Sequence, residues 1–243
     1  MTRPVTDPCG MLVAATCVLF DFDGPLCRLF PGRRGADVAQ RLAGLLAESG
    51  RDPALVAGEV VRGDPLGVLI VASKRFPEEQ TLLTALDDLL TAEEEILAAE
   101  EAVPTVGAAE LVRALEAAGK DLAVTTNNSA RAVVAYLARQ GLAPTFGKHI
   151  HGRTANPARL KPDPDCLHRA LESTGAKAEE TLMIGDSAAD RIAAGKAEVG
   201  FLGYAENGSK RDELRGAGAD VSVSTFTGLR LERILGAFDP EGS

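Results

Sequence analysis

Three short apolar runs in this chain each stop against a polar cluster. Residues 17–20 lead into Asp21-Phe22-Asp23-Gly24, residues 122–124 into Thr125-Thr126-Asn127-Asn128, and residues 182–184 into Gly185-Asp186-Ser187-Ala188-Ala189-Asp190. Runs this short and continuous suit strands buried on both faces. Beyond residue 104 they alternate with helical periodicity. Helices are expected at 107–118, 130–140, 164–174, 188–197 and 229–235, and strands at 122–124, near 149–150, 182–184, 199–202 and 219–223. Gly119 and Gly141 stand where helix C-termini need a left-handed residue. The rhythm specifies an α/β fold: a Rossmann-like, doubly wound parallel sheet with right-handed crossovers.

The early part of the chain breaks that rhythm. Residues 1 to about 13 read as a tail, and residues 28–103 read as helices with no convincing strand. Val38, Leu42, Leu45 and Leu46 form one stripe of a helix at 37–49 that stops at Gly50. Asp64-Pro65 is a cap followed by a first-turn proline, and a further helix follows Pro77. Thr91 and Glu94 have the spacing of a capping box, which predicts a last helix starting there and running toward Ala102. The expected organisation is an α/β core from 1–27 and 104–243, interrupted by an α-helical domain at 28–103.

Composition narrows the partners. Lys plus Arg number 26 against 35 Asp plus Glu, a formal charge of −9, with no long basic run. Nucleic acid and anionic membrane surfaces both reward clustered cations, so neither is expected. The most apolar N-terminal stretch, 11–20, falls well short of the roughly 20 residues that cross a bilayer. The four cysteines show no C-x-x-C spacing, which fits a reducing compartment. A soluble, cytoplasmic protein is the expectation; the sequence is silent on oligomeric state.

In an open parallel sheet, ligands bind in the crevice beyond the carboxyl ends of the strands. The polar clusters converge there, together with Lys161-Pro162 at the start of a predicted helix. Asp21, Asp23, Asp186 and Asp190 cannot all ionise side by side without a compensating cation. Hard oxygen ligands with no His or Cys cluster among them favour Mg2+ over zinc or copper. Such an ion beside a lysine and a threonine hydroxyl makes a seat for a phosphoryl group. No Walker A loop is present, so the carboxylates themselves must act.

The clusters resemble the four motifs of the haloacid dehalogenase superfamily, in its helical-cap branch of magnesium-dependent phosphatases. Asp21-Phe22-Asp23-Gly24-Pro25 matches the first motif and Leu122-Ala123-Val124-Thr125 with Thr126-Asn127 the second. Lys161-Pro162-Asp163-Pro164 matches the third, and Gly185 to Asp190 the fourth. The resemblance covers almost the whole chain and implies a Mg2+-dependent phosphohydrolase acting on a small phosphorylated metabolite. It implies Asp21 as nucleophile, forming an aspartyl-phosphate, and Asp23 as acid and then base. Asp21, Asp186, Asp190 and the backbone carbonyl of Asp23 would hold the ion. Thr126 would donate to the phosphoryl group, Lys161 would neutralise it and hold Asp21, and Asn127 would make a substrate or phosphate contact.

Some residues depart from that pattern. Pro25 replaces a Thr or Val and removes a backbone donor. Cys27-Arg28 stands where many relatives have an acid and a serine, so no particular substrate can be carried over. Arg28, with Arg33 and Arg34, is a candidate for a second anionic group on the substrate. His149, His151 and His168 read as structural, and Cys27 as a small packed side chain. Competing readings are a phosphomutase of the beta-phosphoglucomutase type and a non-catalytic phosphate-binding regulatory protein. A dehalogenase is disfavoured because Asp23 supplies a proton that a halide leaving group does not need.

Overall fold

The computed structural model describes residues 7–227, with 229, 232 and 236 beyond them. In chain order the first elements are α1 (Pro8–Ala14), β1 (Cys17–Phe20), β2 (Cys27–Arg28), α2 (Arg34–Glu48), α3 (Ala57–Arg62), α4 (Pro65–Arg75), α5 (Gln80–Glu100) and β3 (Val103–Pro104). There follow α6 (Ala108–Ala117), β4 (Asp121–Thr125), α7 (Ala130–Gln140), α8 (Ala143–Phe146), β5 (Ile150–His151) and α9 (Asp165–Thr174). The last are β6 (Thr181–Gly185), α10 (Ala188–Lys196), β7 (Gly200–Tyr204), α11 (Gly208–Gly216) and β8 (Ser222–Val223).

Six strands form one sheet in the order β5-β4-β1-β6-β7-β8, and every pairing in it is parallel. This is the doubly wound α/β architecture expected. Side chains alternate between its faces. Val18, Phe20, Leu122, Val124, Leu182 and Ile184 pack into one apolar cluster with α6 and α7. Cys17, Leu19, Ala123 and Met183 enter a second with α9, α10 and α11. Both faces are therefore dry, which is why the strands read as unbroken apolar runs. All four cysteines are free and buried.

Strand β1 lies in the middle, hydrogen-bonded to β4 on one side and β6 on the other. Phe20 is level with Val124 and with Ile184. The chain therefore leaves all three strands at one height, at the point where strand order reverses, which opens a crevice there.

Between 34 and 100 the described structure is helical, and β2 and β3 flank that stretch as a short antiparallel pair. Neither strand was expected, because two residues carry no period. Asp64 caps α4 as anticipated, its carboxylate accepting from the Gly67 amide at 2.8 Å. The capping-box reading of Thr91 and Glu94 is wrong: α5 runs unbroken from Gln80 to Glu100, and both residues sit inside it. Residues 8–14, read as tail, form α1, capped by the Asp7 carboxylate on the Gly10 amide and anchored through the buried Leu12. Helix α11 was missed because its sequence is polar almost throughout, with Leu214 alone buried. The helix expected at 229–235 lies outside the described residues.

At the β5 edge, His149 Nδ1 and His151 Nε2 meet the Ser173 hydroxyl at 3.0 and 2.7 Å. Burial, then Arg169 and His149, lower the His151 pKa from its ordinary value to about 4. The unfolded chain thus binds a proton at this residue between pH ~6.5 and about 4 that the folded chain refuses. Stability from His151 should be complete above pH ~6.5 and decline as pH falls toward 4. Melting curves of the wild type and His151→Gln across that range should converge as pH falls.

Candidate active site

Sheet register places the first carboxylate. The Asp21 amide donates to Ile184 O at 2.9 Å, continuing the strand pairing by one residue and pointing the side chain into the crevice. Lys161, 5% exposed, donates from Nζ to Asp21 Oδ1 at 2.8 Å and to Thr125 O at 2.9 Å. The same ammonium lies 2.6 Å from Asp190 Oδ1. Burial works against its charge, but Asp190 and Asp21 together hold its pKa above the ordinary lysine value. Asp21 is pushed up by burial and by Asp190, an effect that Lys161 opposes.

Asp23 accepts from the Leu29 amide at 2.8 Å, and burial raises its pKa to about 6. Asp186 is likewise raised to about 6, by burial and then by Asp190, with Lys210 acting the other way. Lys210, in the first turn of α11, reaches Asp186 Oδ2 at 2.9 Å. Asp190 closes a capping box at the start of α10: its Oδ2 accepts from the Asp186 amide, the Ser187 amide and the Ser187 hydroxyl. It thus caps a helix and counters Lys161 at once.

Two glycines are required by contact. A Cβ on Gly24, at φ +117°, would stand 2.6 Å from Asp186 Cγ, and one on Gly185 would stand 2.5 Å from Asp190 Cβ. Only a bare backbone lets Asp186 approach the loop after β1 and Asp190 the end of β6. The turn that holds Pro25 is closed by the Leu26 and Cys27 amides, which both donate to Phe22 O.

Asp21, Asp186 and Asp190 each bring one carboxylate oxygen within 4.8 Å of the others. Carboxylates this close, whose pKa values burial pushes upward at Asp21 and Asp186, suit a hard divalent cation. The donor set therefore fits the ion expected from the sequence.

The remaining sequence candidates divide. Thr126 is buried; its hydroxyl donates to Asn128 Oδ1 at 3.0 Å and accepts from the Asn128 amide at 3.1 Å. Asn127, expected as a substrate contact, is otherwise engaged: its amide donates to Lys161 O at 3.1 Å and accepts from Lys161 N at 2.7 Å. It fixes the lysine backbone. Arg28 lines the crevice but is exposed and paired with Glu206 at 3.2 Å. Arg34 pairs with Glu101 at 2.6 Å. Cys27 is packed, and burial raises its thiol pKa.

Sequence reasoning missed Glu94 and Arg153. Glu94, fully buried on α5, accepts from Asn128 Nδ2 at 2.9 Å and from the Ser129 amide at 2.8 Å. Arg153, its side chain 2% exposed, pairs with Glu94 at 3.0 Å and with Asp87 at 2.5 Å. It also donates to Thr91 Oγ1 and to Asn127 O. A signal was available: Leu82, Leu86, Leu90, Glu94 and Leu97 share the buried stripe of α5, and a carboxylate on such a stripe needs a partner. Removing one member of a buried ion pair strands the other. Glu94→Ala should cost about 3 kcal/mol in urea unfolding, and Glu94→Gln less.

A family model described as haloacid dehalogenase-like hydrolase matches residues 15–198. The phosphoglycolate phosphatase of Rhodospirillum rubrum is 35% identical over 123 residues, 51% of this chain and 50% of that protein. The chain thus spans about half the length of that relative, as it does of two others of the same name. The plasmid phosphoglycolate phosphatase of Cupriavidus necator is 30% identical over 227 residues, 88% of this chain and 91% of that one. In fold, a predicted phosphatase from Clostridium acetobutylicum superposes with a TM-score of 0.66 at 21% identity, over 91% of this chain and 99% of its own.

Proposed function

The chain belongs to the haloacid dehalogenase-like hydrolases, and on that premise we propose that it is a Mg2+-dependent phosphatase of a small phosphorylated metabolite, working through an aspartyl-phosphate on Asp21. The observation that carries this reading is the buried ammonium of Lys161, held at once by Asp21 and Asp190. It fixes one Asp21 oxygen and leaves the other for bond formation. The names of the curated relatives support the same class of reaction.

Asp21, Asp186, Asp190 and the Asp23 carbonyl would hold the ion, with Asp190 already committed in part to its cap. When bound, the ion offsets repulsion between an anionic nucleophile and an anionic substrate. The protein supplies the rest. Asp21 attacks phosphorus as the bond from phosphorus to the leaving oxygen breaks, and Asp23 gives that oxygen its proton. Asp23, now ionised, takes a proton from water as the water oxygen attacks phosphorus. The acyl phosphate then breaks, inorganic phosphate leaves and Asp21 is regenerated. A carboxyl pKa near 6 suits a group that must both give and take a proton near neutrality. Lys161 steadies negative charge on the phosphoryl oxygens, and Thr126 turns its hydroxyl proton from Asn128 to one of them.

Phosphate release with Mg2+ should fall at least 1000-fold in Asp21→Asn, whose amide is no nucleophile; wild-type turnover in that variant would sink the mechanism. Asp23→Asn should retain Asp21 phosphorylation on an activated substrate but hydrolyse the intermediate slowly, read by intact-protein mass spectrometry. Mg2+ should raise the Tm of the chelator-treated wild type by several degrees and that of Asp186→Asn by much less.

A further inference from the structure

The crevice above Asp21 has a cavity of about 520 Å3, much larger than a phosphate needs. Its charged lining is mostly acidic. Among the described residues, six carboxylates line it (Asp21, Asp23, Asp64, Glu94, Asp186 and Glu206) against two cations, Arg28 and Lys210. Neither cation is unclaimed: Arg28 lies 3.2 Å from Glu206, and Lys210 lies 2.9 Å from Asp186. Carbon comes from Phe30, Pro65 and Leu66 on the helical side and from Val103 and Val106 on the other, and Thr105, Asn128, Ser187 and Tyr204 add side chains that are polar but uncharged. Val103 and Val106 are 48% and 69% exposed, so part of this carbon is open to solvent.

A divalent cation and Lys161 answer the charge of the transferred phosphoryl group. They leave nothing for a second anion. A carboxylate or second phosphate on the leaving group would sit among acids, beside cations already paired, with no free charge to answer it. Resting on the phosphatase reading above, we infer that the substrate is the phosphate monoester of an alcohol without negative charge, whose carbon skeleton packs on the Phe30, Leu66 and Val106 wall. Phosphoglycolate, after which several relatives are named, is on this reading a poor substrate.

The test is a matched set with the wild-type chain and Mg2+, following inorganic phosphate. Phosphoglycolate and 2-hydroxyethyl phosphate differ in a carboxylate against a hydroxymethyl group, and n-butyl phosphate adds carbon to an uncharged leaving group of similar acidity. The expected kcat/KM for 2-hydroxyethyl phosphate is at least tenfold above that for phosphoglycolate, with n-butyl phosphate severalfold higher again. Leu66→Lys, which sets an unpaired cation in the wall, should shift the ratio toward phosphoglycolate by tenfold or more. Phosphoglycolate used as well as or better than its uncharged partner overturns the inference and leaves the phosphatase reading standing. Release from none of the three esters removes that reading, and this inference with it.

Discussion

One buried ammonium organises the site. Lys161 carries a positive charge where burial alone would remove it, and keeps it because two carboxylates face it from different elements. Asp21 comes from the end of β1, and Asp190 from the first turn of α10. The lysine is itself seated by Asn127, which grips its backbone from the loop after β4. Two strand ends, those of β1 and β4, and the start of α10 are thereby tied to one atom. Loss of any partner leaves an uncompensated charge in a dry place, which costs far more than the pair contributes in net stability.

A second buried pair ties the helical segment to the same loop. Glu94 leaves the apolar stripe of α5 to accept from Asn128 and Ser129, and Arg153 closes the bond network from behind β5. Asn128 in turn meets the Thr126 hydroxyl. The orientation of that hydroxyl is therefore linked, through two side chains, to a helix remote in sequence. The long α5 delivers two things to the crevice: apolar packing along its length and one acid at a fixed height.

Much of this was legible in the chain. The apolar runs gave the strands because a strand covered on both faces has no polar positions to alternate, and the clusters that ended them marked the crevice. Asp21, Asp23, Lys161, Asp186 and Asp190 meet there as their positions at strand ends and helix starts implied. What escaped had physical causes. Thr91 and Glu94 have the spacing of a cap, and only the unbroken packing of α5 shows that Glu94 serves another helix's start. Asn127 offered an amide whose pairing with the Lys161 backbone is long-range, so no local pattern announces it. Lys210 rides on a helix with one buried leucine, which no periodicity could announce.

The central position of β1 has a consequence for how such a chain can change. Asp21 directly follows a strand hydrogen-bonded to neighbours on both sides, so sliding that strand by one residue would break two ladders and turn its side chains over. The reacting carboxylate therefore owes its address to the sheet and nothing to the helices that frame the entrance. Apart from the one acid that α5 sends to the loop after β4, those helices are free to be lengthened, exchanged or re-lined. New chemistry at the mouth and old chemistry at the floor can evolve on separate clocks.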